Sequence, residues 1–306
     1  MKLALGPVLY YWDRDKLFGF YDQIADSPVD IVYLGETVCS RRHLLRLQDY
    51  LEIADKLAES GKEVVLSTQT LIESESDLKT LRKIAANGQF RVEANDMGAV
   101  RLLSNQSPFV AGNTLNIYSP QTLDLIAGLG AIRWVMPVEM SRNALATILA
   151  ARPVGLKTLE TEAFAYGRLP LAYSARCFTA RHHNLQKDDC QFRCLDYENG
   201  LTLKTREGQP FLAINGIQTQ SARIYNLLAD LDDLRDCGVD VVRISPQAHH
   251  SGKILNLFHD VMNQHMIPSL ALAQMEKLMP ELPCNGYWHG QPGQDFALSH
   301  QLAATA

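Results

Sequence analysis

The first half of the chain alternates between two patterns of hydrophobic residues. Residues 30–35 (DIVYLG) form a nearly continuous apolar run, which is typical of a strand buried on both faces. Residues 43–61 then carry apolar residues three or four positions apart and end at Gly61, a spacing that predicts a helix. Such alternation is typical of βα units around a parallel sheet. The pattern predicts strands at 2–12, 30–35, 63–72, 90–95, 108–117, 132–140 and 158–167, and helices at 15–27, 43–61, 74–88, 97–106, 119–130 and 141–153, with N-caps at Ser74 or Ser76, Ser119 and Ser141.

The alternation stops after residue 167 and resumes near residue 221. We interpret the irregular segment of about 168–219 as an insertion after the seventh strand. Eight strands with one insertion predict a closed (β/α) barrel, although a doubly wound open sheet also accommodates this count. We expect a single domain over residues 1–306, because such barrels often exceed 200 residues. The later predicted elements are a β-hairpin of 201–208 and 211–219 with its turn at Glu207 and Gly208, a helix at 221–238, a strand at 240–247 and a helix at 252–264.

Composition narrows the class of protein. The chain has 306 residues, of which 46% are hydrophobic and 21% charged, as in a folded globular protein. Its net charge is −5 and its basic residues are scattered, which argues against nucleic-acid binding. The chain has no apolar run of the ~20 residues that a transmembrane helix needs, and its N-terminal stretch does not resemble a signal peptide. We therefore expect a cytoplasmic protein with reduced thiols.

Three of the six cysteines lie between residues 177 and 194, in the stretch CFTARHHNLQKDDCQFRC. In a reducing compartment such a cluster indicates metal ligation or redox chemistry more often than disulfides. A zinc site or a 4Fe-4S cluster usually takes four cysteines, so a fourth ligand is needed. Cys39 is the candidate, because it follows the second predicted strand and the βα loops of a barrel open on one face. The resulting candidate ligands are Cys39, Cys177, Cys190 and Cys194.

The spacing of these cysteines leaves three interpretations open: an iron–sulfur cluster, structural zinc, or ordinary buried thiols. If Cys190 and Cys194 lay on one helix, their Cβ atoms would be about 5–6 Å apart. Two thiolates on one zinc ion lie only about 4 Å apart, so helical spacing favours a cluster slightly. We predict no ligand role for Cys237, Cys284, His182 or His183, and expect nearby basic residues to offset the charge of a thiolate centre. These residues are Arg176, Arg181, Lys187 and Arg193.

Other polar residues follow the predicted strands and would line the mouth of the barrel. Each taken singly is typical of a cap, a turn or a surface ion pair, but together they predict a polar pocket. The chain has neither a glycine-rich phosphate loop nor a Gly-x-Ser-x-Gly motif, which argues against two common enzyme classes. The predicted pocket residues are Glu36, Arg41, Arg42, Asn95, Asp96, Asn113, Asn116, Glu139, Arg142, Arg243 and Gln247.

The stretch EAFAYGRLPLAYSARC resembles the signature of the collagenase-like peptidase family, Glu-x-Phe-x-x-Gly followed by a spaced cysteine pair. Pro170 stands where the family usually has its first signature cysteine, and Ala175 where it has glycine. These departures point away from the peptidase members and towards a branch that works in ubiquinone biosynthesis. The stretches YLGETVCSRR, LPLAYSARCFTAR, NGIQT, DVVRISPQ and CNGYWHG resemble that branch in order. The signature positions that match are Glu162, Phe164, Gly167 and Cys177.

The resemblance implies more than the spacing does. It implies a 4Fe-4S cluster held by Cys39, Cys177, Cys190 and Cys194 and an obligate heterodimer with a UbiU-like sister protein, with a lipid-carrier accessory protein as a further partner. It also implies oxygen-independent hydroxylation of a prenylated phenol, with prephenate as oxygen donor. It assigns no role to Glu36, Arg41, Asn113 or Glu162. The alternatives are a non-catalytic partner whose cluster or zinc only staples the insertion and, less favoured, a peptidase.

Overall fold

Eight parallel strands close into a barrel in the computed structural model, which describes residues 1–152 and 158–297. The last barrel strand pairs with the first, in the register Lys2 with Val241, and also with the seventh, in the register Val241 with Glu162. This double pairing confirms the closed barrel and rules out the open sheet. Numbered in chain order, the barrel strands are β1 (Lys2–Leu5), β2 (Ile31–Leu34), β3 (Glu63–Ser67), β4 (Arg91–Ala94), β5 (Phe109–Ala111), β6 (Ala131–Val135), β7 (Glu160–Gly167) and β13 (Val241–Ile244).

Helices follow the strands and begin where their capping residues predict. The side chains of Ser74, Ser119 and Ser141 each accept a hydrogen bond from a backbone N–H of the first turn, and Pro120 occupies the first turn after Ser119. Helix α10 was not predicted, although it begins at a favourable Pro268. The helices are α1 (Arg14–Ala25), α2 (Leu47–Glu59), α3 (Glu75–Ala85), α4 (Met97–Leu103), α5 (Pro120–Gly128), α6 (Arg142–Ala150), α7 (Phe178–His182), α8 (Leu231–Asp236), α9 (Ser251–Met262) and α10 (Pro268–Met275).

Most barrel strands are shorter than their apolar runs predict. Strand β1 ends at Leu5 rather than at residue 12, because Pro7 has no N–H to continue the ladder. Residues 8–12 are nevertheless buried, so the apolar run continues into a loop that packs against the core. Burial therefore predicts where a strand begins better than where it ends. Shortening also affects the predictions at 63–72, 108–117, 132–140 and 240–247.

The insertion after β7 forms a separate antiparallel sheet in the order β8–β11–β10–β9. The predicted turn at Glu207 and Gly208 is confirmed, and Gly208 has a φ of 83°. The predicted strand 211–219 is wrong in part, because Gly216, with a φ of 65°, breaks it into two strands. Asn215 and Gly216 form an Asn-Gly pair, which is a sequence signal for a hairpin turn, so this turn could have been predicted. The strands are β8 (Pro170–Tyr173), β9 (Leu201–Lys204), β10 (Pro210–Asn215) and β11 (Gln218–Ser221).

The predicted helix at 221–238 is largely wrong. Its first part is strand β12 (Ile224–Asn226), which pairs antiparallel with the end of β7, and only α8 is an α-helix. Strand β7 runs beyond the barrel to Gly167, and its last residues need backbone partners that β12 supplies. The short strand β14 (Pro283–Cys284) then pairs with β12.

The core has two layers, as the continuous apolar strands predict. One small cluster, which includes Tyr33, Val65 and Val110, is separate from the large cluster between the sheet and the helices. All four residues of β2 are buried, so both of its faces are covered. Across the described ranges, none of the helices has the length and apolar composition that a bilayer crossing requires.

Candidate functional site

Four of the six cysteines line one pocket, between the loop after β2 and the insertion. These are Cys39, Cys177, Cys190 and Cys194, and all six cysteines are free thiols. We call this site the cysteine pocket. Its other lining residues are Arg41, Arg42, Thr179, Ala180, Phe192, Arg193 and Gly216.

Cys39 is held by the loop that follows β2. The Glu36 carboxylate accepts hydrogen bonds from the backbone N–H groups of Val38 at 2.8 Å and Cys39 at 3.0 Å. The Cys39 side chain packs against Val38, Leu9 and Ile217. Glu36 therefore shapes the turn that points this thiol towards the insertion.

Cys177 is fixed from the other side of the pocket. It caps α7, and its Sγ accepts a hydrogen bond from the Ala180 N–H at 3.4 Å. The Gly216 N–H donates to the Thr179 hydroxyl at 3.0 Å, which ties α7 to the turn between β10 and β11. Gly216 has a φ of 65°, a conformation that favours glycine, and a Cβ atom there would lie 3.2 Å from Arg42 Nη2, so the guanidinium would have to shift slightly.

Cys190 follows one short 3₁₀ turn and Cys194 lies in the next, so the two are not on one helix and the spacing argument from a single helix does not apply. Gln191 and Phe192 between them have positive φ values of 49° and 51°, an unfavourable conformation for residues other than glycine. This reversal brings both thiols to the same pocket. Such a conformation persists only where the surrounding structure holds it in place.

Arg42 connects the β2 loop to the insertion. Its Nη1 donates to the Leu9 carbonyl at 2.7 Å and its Nη2 to the Asn215 side chain at 2.7 Å. The Glu36 carboxylate lies further away, at 3.6 Å. The Nε atoms of Arg42 and of its neighbour Arg41 are buried and have no hydrogen-bond partner in the described part of the chain. Unpaired buried donors are costly, so this wall of the pocket suits an acceptor-rich anionic group.

Burial raises the pKa of Cys39 to about 11, although the Arg42 guanidinium acts to lower it. Burial likewise raises the pKa of Cys194, again against the effect of Arg42. These thiols are therefore protonated at neutral pH in the cofactor-free protein, and a metal would have to displace their protons.

The four sulfur atoms do not form a closed metal site as they stand. Within residues 1–152 and 158–297, no three of them have all their separations within 4.8 Å. Thiolates around one zinc ion lie about 4 Å apart, so binding of zinc here would require rotation of these side chains. Four cysteine thiols on one pocket are a donor set that could hold a 4Fe-4S cluster or a single zinc ion.

A second pocket opens at the mouth of the barrel. Leu9, Thr37 and Tyr173 line it, and Leu9 and Tyr173 also pack in the apolar cluster that contains Cys39 and Cys177. The two pockets are therefore neighbours. We call this second site the barrel-mouth pocket. Its other lining residues are Gly6, Pro7, Thr70, Glu93, Asn95, Asn113, Val135, Phe164, Pro170, Arg243 and Ser245.

A buried charge network lies at this pocket. Arg243 donates to Glu162 at 2.5 Å and to Glu93 at 2.8 Å, and Glu162 also accepts a 2.5 Å hydrogen bond from the Tyr33 hydroxyl. Burial alone would lower the pKa of Arg243, but the carboxylates of Glu162 and Glu93 raise it well above its ordinary value. Arg133 donates to the same Tyr33 hydroxyl at 3.1 Å. The network is thus a set of charges held by strands rather than by loops.

Arg243 and Glu162 stand out in the sequence, whereas the other three members of this network do not. Tyr33 and Arg133 lie within strands that are otherwise apolar, and Glu93 lies between Val92 and Ala94 in the buried part of β4. A single charged residue inside a strand buried on both faces is unusual, because buried charges need partners. That signal would have found Glu93 and Arg133. It would not have found Tyr33, which is ordinary in a buried strand.

Several residues predicted for the mouth have other roles. Asp96 caps α4 by accepting from the Gly98 N–H, and Asn116 ends a 3₁₀ turn in a left-handed conformation. Arg142 pairs with Asp233 at 2.7 Å, Glu139 accepts from the Tyr118 hydroxyl, and Gln247 accepts from the Tyr166 hydroxyl at 2.9 Å. The predicted residues that do line one of the two pockets are Asn95, Asn113, Arg243, Arg41 and Arg42, while Glu36 borders the neighbouring cavities.

The remaining cysteines and histidines are placed away from the cysteine pocket. Cys284 is buried in β14, where burial raises its pKa to about 12, and Cys237 follows α8. His183 hydrogen-bonds to the Tyr197 hydroxyl at 2.9 Å, and His182 packs edge-on against His183. Of the four basic residues expected to offset a thiolate centre, Arg193 lines the pocket, whereas Lys187 pairs with Glu73.

Comparisons with known proteins address the family. The model of peptidase family U32 matches residues 13–296. The structure is similar to that of the U32 peptidase Mk0906, at 13% identity and a TM-score of 0.45 over 81% of this chain and 93% of that one.

Two further solved structures are similar to this one over most of the chain. An N-acetylneuraminate lyase from Mycoplasma synoviae shares 10% identity and a TM-score of 0.44, over 90% of this chain and 79% of that one. A putative dihydrodipicolinate synthetase from Pseudomonas aeruginosa is 8% identical and gives a TM-score of 0.39, over 92% of this chain and 82% of that one. The family model, which spans nearly the whole chain, shows that this protein belongs to peptidase family U32.

Proposed function

We propose that the chain is the iron–sulfur subunit of an oxygen-independent hydroxylase, similar to the ubiquinone-biosynthesis protein UbiV. In this proposal Cys39, Cys177, Cys190 and Cys194 hold a 4Fe-4S cluster. The observation that carries it is the convergence of these four thiols on one pocket whose wall contains two unpaired, buried guanidinium nitrogens. The substrate would be a prenylated phenol, prephenate the oxygen donor and a UbiU-like protein the partner, as the resemblance of the quoted stretches implies.

When bound, the cluster would supply one-electron redox chemistry. Four cysteines occupy all four irons of such a cluster, which favours electron transfer over direct binding of the substrate. The barrel-mouth pocket, a cavity of about 40 Å³, is where we place only an oxygen-bearing end of the substrate, because it shares Leu9 and Tyr173 with the apolar wall of the cysteine pocket. Arg243 would orient an oxygen atom of the substrate there, since its Nη2 has no partner among the described residues.

The test is an anaerobic assay of the purified heterodimer with a prenylated phenol and prephenate. We expect a hydroxylated product, and we expect the Cys190→Ala variant to form none while the heterodimer stays assembled. Stoichiometric zinc in place of iron, or full activity of the Cys190→Ala variant, would contradict the proposal. The matched control is Cys237→Ala, which removes a thiol that lies outside the cysteine pocket.

A second candidate is a structural role in which the cluster only staples the insertion. The two short 3₁₀ turns around Cys190 and Cys194 favour it, because they have little hydrogen-bonded structure of their own. The same variant separates the two roles. Loss of assembly or folding in Cys190→Ala indicates a staple, whereas loss of activity alone indicates a redox role.

A further inference from the structure

We propose that His259, Asp260 and His265 form a binding site for a divalent transition-metal ion at the end of α9. Each residue offers one ligand atom, and the three atoms all lie within 4.8 Å of one another. Two imidazoles and one carboxylate are ligands typical of zinc and its neighbours rather than of magnesium or calcium. The site is independent of the cysteine pocket and of the proposed function.

The distances between the three groups fit a metal better than they fit hydrogen bonds. The Asp260 carboxylate lies 3.5 Å from His259 Nδ1 and 3.9 Å from His265 Nδ1. A hydrogen bond would need about 2.7–3.2 Å. Ligands bound to one tetrahedral zinc ion at about 2.0–2.1 Å lie roughly 3.4 Å apart, so small rotations of these side chains would complete the site.

The backbone holds His265 over the last turn of α9. Gln264 has a φ of 60°, which reverses the chain just after the helix. The His265 N–H then donates to the Asp260 carbonyl at 2.8 Å. The arrangement of the two residues is therefore fixed by the main chain, and only the side-chain torsions remain free.

The location also favours a cation. The site lies at the C-terminal end of a helix of 12 residues, where the helix dipole is negative. The helix follows β13, so in a barrel its C-terminal end lies on the face opposite the βα loops and the cysteine pocket. His265 is exposed, which leaves room for water to complete the coordination of the ion.

The test is calorimetric titration of the folded protein with Zn²⁺. Thiols of the cysteine pocket could also bind Zn²⁺, but they contribute equally to every variant compared. We expect the His259→Asn, Asp260→Asn and His265→Asn proteins each to lose one binding equivalent, or to bind it about tenfold more weakly or worse. The control is His249→Asn, which removes an exposed histidine whose neighbours are His250 and Glu198.

A second readout is thermal stability. Zn²⁺ bound only to the folded state raises the melting temperature, and this rise should shrink in the three variants but not in the control. Equal stoichiometry, affinity and thermal shift in wild type and all three variants would overturn the proposal, as would an equal loss in His249→Asn. The iron content of the same preparations reports on the cysteine pocket separately, so failure of one proposal does not imply failure of the other.

Discussion

Arg42 and Arg243 are both buried beside the candidate pockets, but their charges are compensated differently. Arg243 contacts two carboxylates, at 2.5 Å and 2.8 Å. Arg42 donates to two neutral oxygen atoms, and its nearest carboxylate, that of Glu36, is 3.6 Å away. The charge of Arg243 is therefore compensated by carboxylates in direct contact, although its Nη2 has no partner in the described part of the chain, whereas the charge of Arg42 is compensated less closely, which suits an anionic cluster.

The largest expected effect is on iron content. Replacing Cys39, Cys177, Cys190 or Cys194 by Ala should reduce iron from about four per chain to nearly none, because each supplies a quarter of the ligands. Anaerobic purification followed by iron and sulfide analysis measures this. The Cys284→Ala and Cys237→Ala proteins serve as controls and should keep their iron. Full retention of iron in Cys39→Ala would break the assignment of this loop to the cluster.

The second-largest expected effect is on the stability of the barrel. Arg243→Met leaves the buried carboxylates of Glu162 and Glu93 without their cation, which should lower the free energy of unfolding by about 3–5 kcal/mol. Urea titration followed by circular dichroism measures the loss. Lys2→Met, which breaks an exposed pair with Glu160, should cost no more than about 1 kcal/mol. Equal losses in both variants would show that the network is not an integral part of the barrel.

Arg42→Gln should lower the reduction potential of the cluster, because the reduced form carries one more negative charge and loses a nearby cation. We expect a change of about tenfold in the reduction equilibrium, or roughly 60 mV for one electron, in an anaerobic redox titration. Arg42→Lys keeps the charge and should shift the potential less. Arg193→Gln removes an arginine that lines the same pocket but is exposed, so solvent should screen its effect. An unchanged potential in Arg42→Gln would mean that the surplus charge does not act on the cluster.

The smallest effect is on thiol reactivity in the cluster-free protein. Burial raises the pKa of Cys39 from its ordinary value of 9.0 to about 11, so below pH 9 its thiolate fraction should be about a hundredfold lower than that of an unperturbed thiol. Labelling with iodoacetamide should therefore be slow at pH 8 and become faster as the pH rises towards 11. Mass spectrometry of the labelled peptide measures the rate. Labelling of Cys39 at pH 8 as fast as that of a small free thiol would contradict this picture.

The barrel could be predicted from the sequence because each of its strands is buried on both faces. Runs such as 30–35 and the capping residues Ser74 and Ser141 place the βα units without any knowledge of contacts. Strand ends could not be predicted in this way, since the loop residues 8–12 are as buried as the strand before them. A pattern of burial does not distinguish a strand from a loop that packs against the core.

The candidate site could be predicted only in part, for a similar reason. The clustered cysteines and the position of Cys39 after β2 suffice to group the four thiols, because barrel loops open on one face. The reversal at Gln191 and Phe192 and the unpaired Nε of Arg42 depend on how the insertion folds back on the barrel. Neither local propensity nor spacing contains that information.

The most direct test of the account is the iron and acid-labile sulfide content of the wild-type protein purified without oxygen. We expect about four of each per chain, with a broad absorption near 400 nm that fades on reduction. Stoichiometric zinc and a colourless protein would contradict the central claim that the four cysteines hold an iron–sulfur cluster.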